Sequence, residues 1–231
     1  MSISLVKGQK VDITKDRPGL SQIAVALGWD PIGVHQRTQR SVVSAPAQPG
    51  LGARLSQLWD RASNAVQNAT HQQGTMSPNG PSNMDIDASA ICVNAAGKAI
   101  DLVYFGHQVS NDKSIHHSGD NLTGSGSGDD ETILVTLPTV SSSTERIVFI
   151  VNIYDCVNRR QTFGMVTNAY IRVYNPFNNE EILRYNLTDD YANSTGIFVG
   201  EIYRRNGEWK FSAMGEGTSD TSITMMGRRY S

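Results

Sequence analysis

Residues 145–155 read ERIVFIVNIYD, a run dominated by apolar side chains. In an extended chain successive side chains point to opposite faces, so both faces of this segment are apolar. One face carries Ile147, Phe149, Val151 and Ile153, and the other carries Val148, Ile150 and Tyr154. The segment therefore predicts a β-strand that is buried on both faces.

Strand patterns also occur on both sides of this segment. Apolar and smaller residues alternate over 23–27, and the stretches 167–174 and 181–187 flank a turn-like NPFNN, which indicates a hairpin. The segments GIFVGEIYRR and EWKFSAM flank Asn206 and Gly207, and Asn-Gly favours a tight hairpin because both residues tolerate positive φ. Many short strands and few helical patterns predict an all-β fold, a β-sandwich or barrel of mainly antiparallel strands.

The segment 31–84 breaks this pattern, because it is rich in Gln, Asn, Ser, Pro and Gly and has almost no strand periodicity. We interpret it as an inserted, largely disordered segment, so that residues 1–30 and 85–231 form the β-domain. Apolar residues at helical spacing predict a short amphipathic helix over 51–67. Three interpretations of this helix stay open: docking on its own domain, docking on a partner or membrane surface, and no folding at all.

The composition is that of a globular chain. The sequence has 231 residues with a formal net charge of −2, which argues against a nucleic-acid binder driven by electrostatics. The N-terminus lacks an apolar signal-peptide core, and no apolar run of about 18 residues could span a membrane. Cys92 and Cys156 lie in strand-like runs without a CxxC pattern, which predicts buried free thiols. These observations favour a cytoplasmic protein.

The charge is concentrated in one region of the sequence. Residues 85–131 carry eight acidic side chains against Lys98 and Lys113, a net charge of −6. The segment 31–84 carries four arginines and only Asp60, a net charge of +3. A nearly neutral chain thus contains one strongly acidic block, which is the main indication of function.

The acidic block includes HSGDNLTGSGSGDDETILVTL, residues 117–137, in which three glycines alternate with other residues. Its carboxylates belong to Asp120, Asp129, Asp130 and Glu131, with no basic residue among them. Such acids repel each other unless a cation lies between them, and glycines let backbone carbonyls turn inward. Ca²⁺ takes about six to eight oxygen ligands, and this loop supplies them. The alternative is a flexible Gly/Ser loop with solvated acids.

Three further aspartates are candidates for the same site. Asp85 and Asp87 alternate, which places both carboxylates on one face of an extended chain, and Asp30 closes an earlier strand in Gly-Trp-Asp. A β-sandwich can bring these regions to one end, where they could share one or two metal ions. The loop is not an EF-hand, because Ser125 replaces the glycine that the motif requires.

Other candidates for chemistry are weaker. His116 and His117 adjoin the acidic loop and could bind a transition metal, but neighbouring side chains on a strand point in opposite directions. No serine lies in a GxSxG motif, and no nucleophile–base pair is evident. We interpret the arginine pairs 159–160, 204–205 and 228–229 as exposed charges, with contact to an anion or partner as the alternative.

Several segments together resemble the TerD domain, which belongs to the tellurium-resistance and bacterial stress-protein family. They are GDNLTGSGSGDDETILVTL, DIDASAICVN and LGWD, with SISLVKGQKVDITK, VNIYDCVNRRQTFGMVTNAYIRV and GEIYRRNGEWKF as further matches. The resemblance covers residues 1–30 and 85–217. The insertion and the C-terminal residues 218–231 depart from the pattern, and both could present new surfaces to partners.

The resemblance implies a compact β-sandwich that binds two Ca²⁺ ions in its acidic loops. The ligands that it implies are Asp30, Asp85, Asp87, Asp120, Asn121, Asp129, Asp130 and Glu131. Backbone carbonyls within 122–127 would complete the coordination. It also implies a binding or scaffold module rather than an enzyme, one that assembles with other Ter-type stress proteins in the cytoplasm or peripherally at the inner membrane. No small-molecule substrate is expected.

Two other functions stay open. A Ca²⁺-dependent module could bind membranes or glycans by bridging an anion through the bound ions. A hydrolase would use the ions to activate water, but the sequence offers no positioned base.

Overall fold

The computed structural model describes residues 2–31, 84–122, 128–187 and 191–231. Within these ranges the chain forms two six-stranded sheets. In spatial order the first sheet contains β1 (Ile3–Ser4), β10 (Glu180–Asn186), β9 (Val166–Asn175), β3 (Gln22–Pro31), β7 (Glu131–Thr136) and β6 (Ile115–His117). The second contains β2 (Lys10–Asp12), β12 (Glu208–Thr218), β11 (Gly196–Arg205), β8 (Arg146–Ile153), β4 (Ile86–Val93) and β5 (Ala99–Val103).

The strand pairs are antiparallel except for β1 with β10, which are parallel. The predicted all-β sandwich of mainly antiparallel strands is therefore confirmed. The predicted helix over 51–67 lies outside the described residues, as does the insertion apart from Pro31 and Met84. Within the described part of the chain, no helix is long and apolar enough to cross a membrane.

The two sheets share one core, because alternate residues of each strand point inward. Fully buried members include Ile23, Val25 and Leu27 of β3 together with Ile147, Phe149, Val151 and Ile153 of β8. Burying one such side chain contributes roughly 1.5–3 kcal/mol to stability, so this core dominates the folding energy. Cys92 and Cys156 are buried and free, as the sequence predicts.

Strand β8 is buried on both faces, as its sequence predicts, because the C-terminal residues cover the second sheet from outside. Helix α2 (Ile223–Gly227) leads into a short 3-10 turn over Arg228–Tyr230. Its apolar side chains pack in a second cluster with the outward residues of three strands. The buried members of that cluster are Ile91, Val93, Val148, Ile150, Phe198, Met226 and Tyr230. Part of the segment 218–231 thus completes a core instead of forming a free surface.

Both predicted hairpins are present. Strands β9 and β10 form one, and β11 and β12 form the other. The second turns at Asn206 and Gly207, whose φ angles are 54° and 80°. Only a few residue types adopt this left-handed region easily, so the Asn-Gly pair is what permits the two-residue turn.

Candidate metal site

The candidate metal site begins where β4 starts. Asp85 immediately precedes this strand and Asp87 lies within it, so their side chains point to the same face. Asp87 lies opposite Asn152 of β8 in the strand register, and the main chain of Tyr154 donates to the Asp85 carbonyl oxygen. Two neighbouring strands therefore fix the positions of both carboxylates.

Asp120 completes the group from the other sheet. It follows β6 and comes directly after Gly119, whose φ of 104° requires glycine at this turn. Carboxylate oxygens of Asp85, Asp87 and Asp120 lie within 4.8 Å of one another, a spacing that a single metal ion can bridge. Asp85 and Asp87 are buried and Asp120 is exposed, so the group opens toward solvent on the Asp120 side.

Oxygen atoms at the base of this group lack a partner. Asp85 Oδ1, Asp87 Oδ2 and Asn152 Oδ1 are buried without a hydrogen bond from the described residues. All three residues are at most 4% exposed. Buried polar atoms are almost always paired in folded proteins, so the unpaired oxygens of Asp85 and Asp87 are acceptors that a cation could pair.

The electrostatics of the group agree with this interpretation. Burial raises the pKa of Asp85 to about 7, and the charge of Asp120 acts in the same direction. Burial raises the pKa of Asp87 to about 9, with further contributions from Glu131 and Asp85. Without a cation the two carboxyl groups therefore tend to keep their protons, whereas a bound cation would favour the ionised forms.

Glu131 lies beside the group and ties the two sheets together. Its Oε2 accepts a 2.7 Å hydrogen bond from the Ala88 main chain, and its Oε1 accepts one of 3.3 Å from Asn121. The His117 Nε2 lies 3.5 Å from the same carboxylate. Glu131 is 1% exposed, so it adds a buried negative charge near Asp87 while holding β4 against β7.

The histidine pair does not form a shared metal site. Gly119 donates its main-chain N–H to His117 Nδ1, so the other nitrogen carries the proton that reaches the Ala88 carbonyl at 3.0 Å. Both nitrogens of His117 are thus occupied. His116 Nε2 instead lies 3.0 Å from the carbonyl oxygen of Lys113.

The remaining predicted ligands are held by donors from the protein. Asp129 accepts two short hydrogen bonds from Arg172, at 2.8 and 2.6 Å, and a third from the Tyr170 hydroxyl at 3.1 Å. Asp30 accepts a 2.9 Å hydrogen bond from the amide of Asn168. These two carboxylates are separate from the Asp85, Asp87 and Asp120 group.

Asp130 has an intermediate environment. One carboxylate oxygen accepts from the Trp29 main chain at 2.9 Å and the other from the Asn121 side chain at 3.0 Å. Burial nevertheless raises its pKa to about 6. The predicted carbonyl ligands of 123–127 lie outside the described residues, so a second ion near Asp130 stays a prediction.

The sequence did not predict two of the residues that lie near the site. Asn152 is a polar residue in the otherwise apolar β8, and that exception was the available signal. Arg159 was interpreted as an exposed charge, but it lies in the four-residue helix α1 (Cys156–Arg159) with its Nη1 3.8 Å from Asp85 Oδ2. Its contact depends on how the chain turns after β8, which the sequence does not show.

By its fold and site the chain is a two-sheet β-domain with an acidic group at the start of one strand. Comparison with known sequences identifies its family. The chain matches the TerD domain over residues 1–230. It is 42% identical to "Stress response protein SCP2" of Bacillus subtilis over 233 residues, covering 100% of both chains. It is 36% identical to "Tellurium resistance protein TerD" of Serratia marcescens, covering 94% of this chain and 91% of that one.

The chain therefore belongs to the TerD domain family of tellurium-resistance and stress-response proteins. A solved structure shares the fold: a homologue of telluride resistance protein (TerD) from Streptomyces coelicolor A3(2) aligns with a TM-score of 0.60 at 22% identity. That alignment covers 90% of this chain and 98% of the other.

Proposed function

We propose that this chain is a calcium-binding stress-response protein of the tellurite-resistance type, acting as a non-enzymatic binding or scaffold module with other Ter-type proteins. The observation that carries the metal proposal is that Asp85 and Asp87 each have an unpaired buried oxygen and lie with Asp120 in one group, whose carboxylate oxygens are within 4.8 Å of one another. A cation at this point would pair atoms that otherwise destabilise the fold.

The chemistry of the donors favours calcium. The group offers carboxylate oxygens, which suit hard cations rather than zinc or copper. Its donors come from the start of strand β4 and from the loop after β6. Ca²⁺ tolerates irregular coordination and can complete it with water on the open side, whereas Mg²⁺ demands near-octahedral geometry.

The surroundings support a binding module over a hydrolase. A metal-dependent hydrolase needs a base to accept a proton from water, and the buried imidazole beside Glu131 uses both of its nitrogens in hydrogen bonds. A bound cation would instead lock β4, β8 and the loop after β6 together. Because it binds the folded state, it would stabilise that state by about 2.7 kcal/mol at a hundredfold excess over Kd.

Calorimetric titration of the metal-free full chain with Ca²⁺ tests the metal proposal. We expect binding in the wild type and at least about tenfold weaker binding in Asp120→Asn, because a direct ligand loses its charge. Asp16→Asn is the matched control: it makes the same chemical change at an exposed aspartate of the N-terminal region and should bind like the wild type. No heat at about 1 mM Ca²⁺ in the wild type would refute the proposal.

The same titration gives the number of ions, for which two are predicted. The scaffold role requires its own test, namely affinity purification from stressed cells with Ca²⁺ and with chelator. Calcium-dependent capture of Ter-type proteins would support it. Calcium-dependent binding to liposomes or glycans in the absence of such partners would favour the alternative, a membrane- or glycan-binding module.

A further inference from the structure

We propose that Arg159 is a built-in counter-ion of the metal site, which holds Asp85 in the metal-free protein and leaves it when a divalent cation binds. This inference rests on the proposed function, because it presupposes a cation among Asp85, Asp87 and Asp120. Arg159 would then regulate the affinity of the site for the cation without being a metal ligand itself.

The contact between Arg159 and Asp85 is close enough for electrostatic attraction and loose enough to break. Arg159 Nη1 lies 3.8 Å from Asp85 Oδ2, beyond the range of about 2.7–3.2 Å of a good hydrogen bond. The Asp85 side chain is 5% exposed and the Arg159 side chain 24% exposed. The water-accessible guanidinium of Arg159 thus lies at the edge of the buried Asp85 carboxylate, whose other oxygen, Oδ1, is unpaired.

Arg159 has other partners within reach once it leaves Asp85. Its Nε lies 3.7 Å from Asp155 Oδ2, and its guanidinium carbon lies 5.4 Å from the centre of the Tyr154 ring. The Tyr154 ring is 49% exposed and can hold the cation over its face. Displacement from Asp85 therefore leaves the arginine with its contacts to Asp155 and Tyr154 on the same short segment and does not require it to become fully solvated.

The charges predict two opposite effects of Arg159. In the metal-free protein its positive charge attracts the Asp85 carboxylate and so stabilises the fold. In the metal-bound protein the same charge lies near a divalent cation and repels it. Arg159 should therefore raise metal-free stability and lower calcium affinity at the same time.

Three substitutions test the proposal by calorimetric Ca²⁺ titration of the full chain and by thermal unfolding in chelator. Arg159→Gln should bind Ca²⁺ roughly tenfold more tightly than the wild type, because the repelling charge is gone. It should also unfold at a lower temperature without metal and gain more on adding Ca²⁺. Arg159→Lys keeps the charge and should stay near the wild type.

Arg160→Gln is the matched control, because it removes the same charge from the adjacent, exposed residue. It should leave calcium affinity unchanged. Affinity in Arg159→Gln that equals or falls below the wild type would overturn the proposal, since a positioning role for Arg159 predicts weaker binding. An equal gain in Arg160→Gln would also overturn it, because the effect would then come from overall charge.

The same titrations distinguish the absence of a calcium site from the absence of a role for Arg159. Absence of Ca²⁺ binding in the wild type and in every variant would refute the calcium site and the role of Arg159 with it. Calcium binding in the wild type without any gain in Arg159→Gln would leave the calcium site standing and refute only the role of Arg159.

Discussion

Two aspartates of this molecule, Asp112 in a turn and Asp87 in strand β4, have opposite environments. The Asp112 carboxylate accepts hydrogen bonds from the Ser110 hydroxyl, from the main chain and hydroxyl of Ser114, and from the Ser141 main chain, at 2.7 to 3.0 Å. Burial alone would raise its pKa, but these hydrogen bonds lower it to about 2. The protein itself thus satisfies this charge completely.

Within the described part of the chain, Asp87 has a hydrogen bond from the Asn152 side chain but no set of donors comparable to that of Asp112. Burial raises its pKa to about 9, and the neighbouring charges of Glu131 and Asp85 add to the effect. The difference separates two roles: the fold itself supplies the hydrogen-bond donors for Asp112, whereas the proposed cation would compensate the charge of Asp87.

Replacing each of the two aspartates by asparagine should change the free energy of unfolding of the metal-free protein in opposite directions. Asp112→Asn loses charge-assisted hydrogen bonds and should destabilise the fold by about 1–3 kcal/mol. Asp87→Asn removes an uncompensated buried carboxyl group and should stabilise the metal-free fold by a similar amount. Urea denaturation in chelator at neutral pH measures both changes.

The two variants should also differ in how much Ca²⁺ stabilises them. Asp112→Asn should retain the wild-type response to Ca²⁺, whereas Asp87→Asn should lose it because a ligand is gone. If Asp87→Asn destabilises the metal-free protein as much as Asp112→Asn does, the contrast between the two aspartates is wrong.

The pH dependence of stability provides the next test. Asp85 and Asp87 hold protons in the metal-free fold up to about pH 7 and 9, whereas unfolded aspartates release theirs near about pH 3.9. The folded state therefore binds more protons over this window, so the free energy of unfolding should fall as pH rises from about 5 to 9. Saturating Ca²⁺ should suppress the fall.

Denaturation at several pH values in chelator and in Ca²⁺ checks this prediction. Asp87→Asn should flatten the upper part of the metal-free curve, while the Asp112 carboxyl stays ionised throughout and should contribute no slope. A metal-free stability that rises steadily across the window would contradict the assignment.

The smallest effect is expected from removing the insertion. Strand β3 extends through Pro31, and Met84 is fully buried, so the deletion should keep both and join them through a short linker. Without residues 32–83 the chain should still fold and bind Ca²⁺, with a change in melting temperature of only a few degrees. Loss of the folded state would show that the insertion is part of the domain.

The sequence predicted those features that depend on local patterns. The alternation in 145–155 gave a strand buried on both faces, and Asn206-Gly207 gave the position of a hairpin. The spacing of Asp85 and Asp87 correctly placed both carboxylates on one face. Each of these inferences needs only neighbours in the chain.

Features that depend on distant partners could not be predicted in the same way. The acidic loop alone does not distinguish Asp129 from Asp120, because the difference arises from Arg172, a residue of β9 that is 43 positions away. The match of Asp87 with Asn152 likewise follows from the register of β4 against β8. Composition shows where negative charge is concentrated, but the fold decides which charges are compensated.

The outer strands of both sheets have a consequence for how this protein behaves at high concentration. The first sheet ends in β1 and β6, of two and three residues, and the second ends in β2 and β5, of three and five residues. An exposed edge offers unpaired main-chain groups to another molecule, and a short edge offers few of them. A second copy that paired with one of these outer strands could therefore form only a few main-chain hydrogen bonds with it, which limits edge-to-edge association through them.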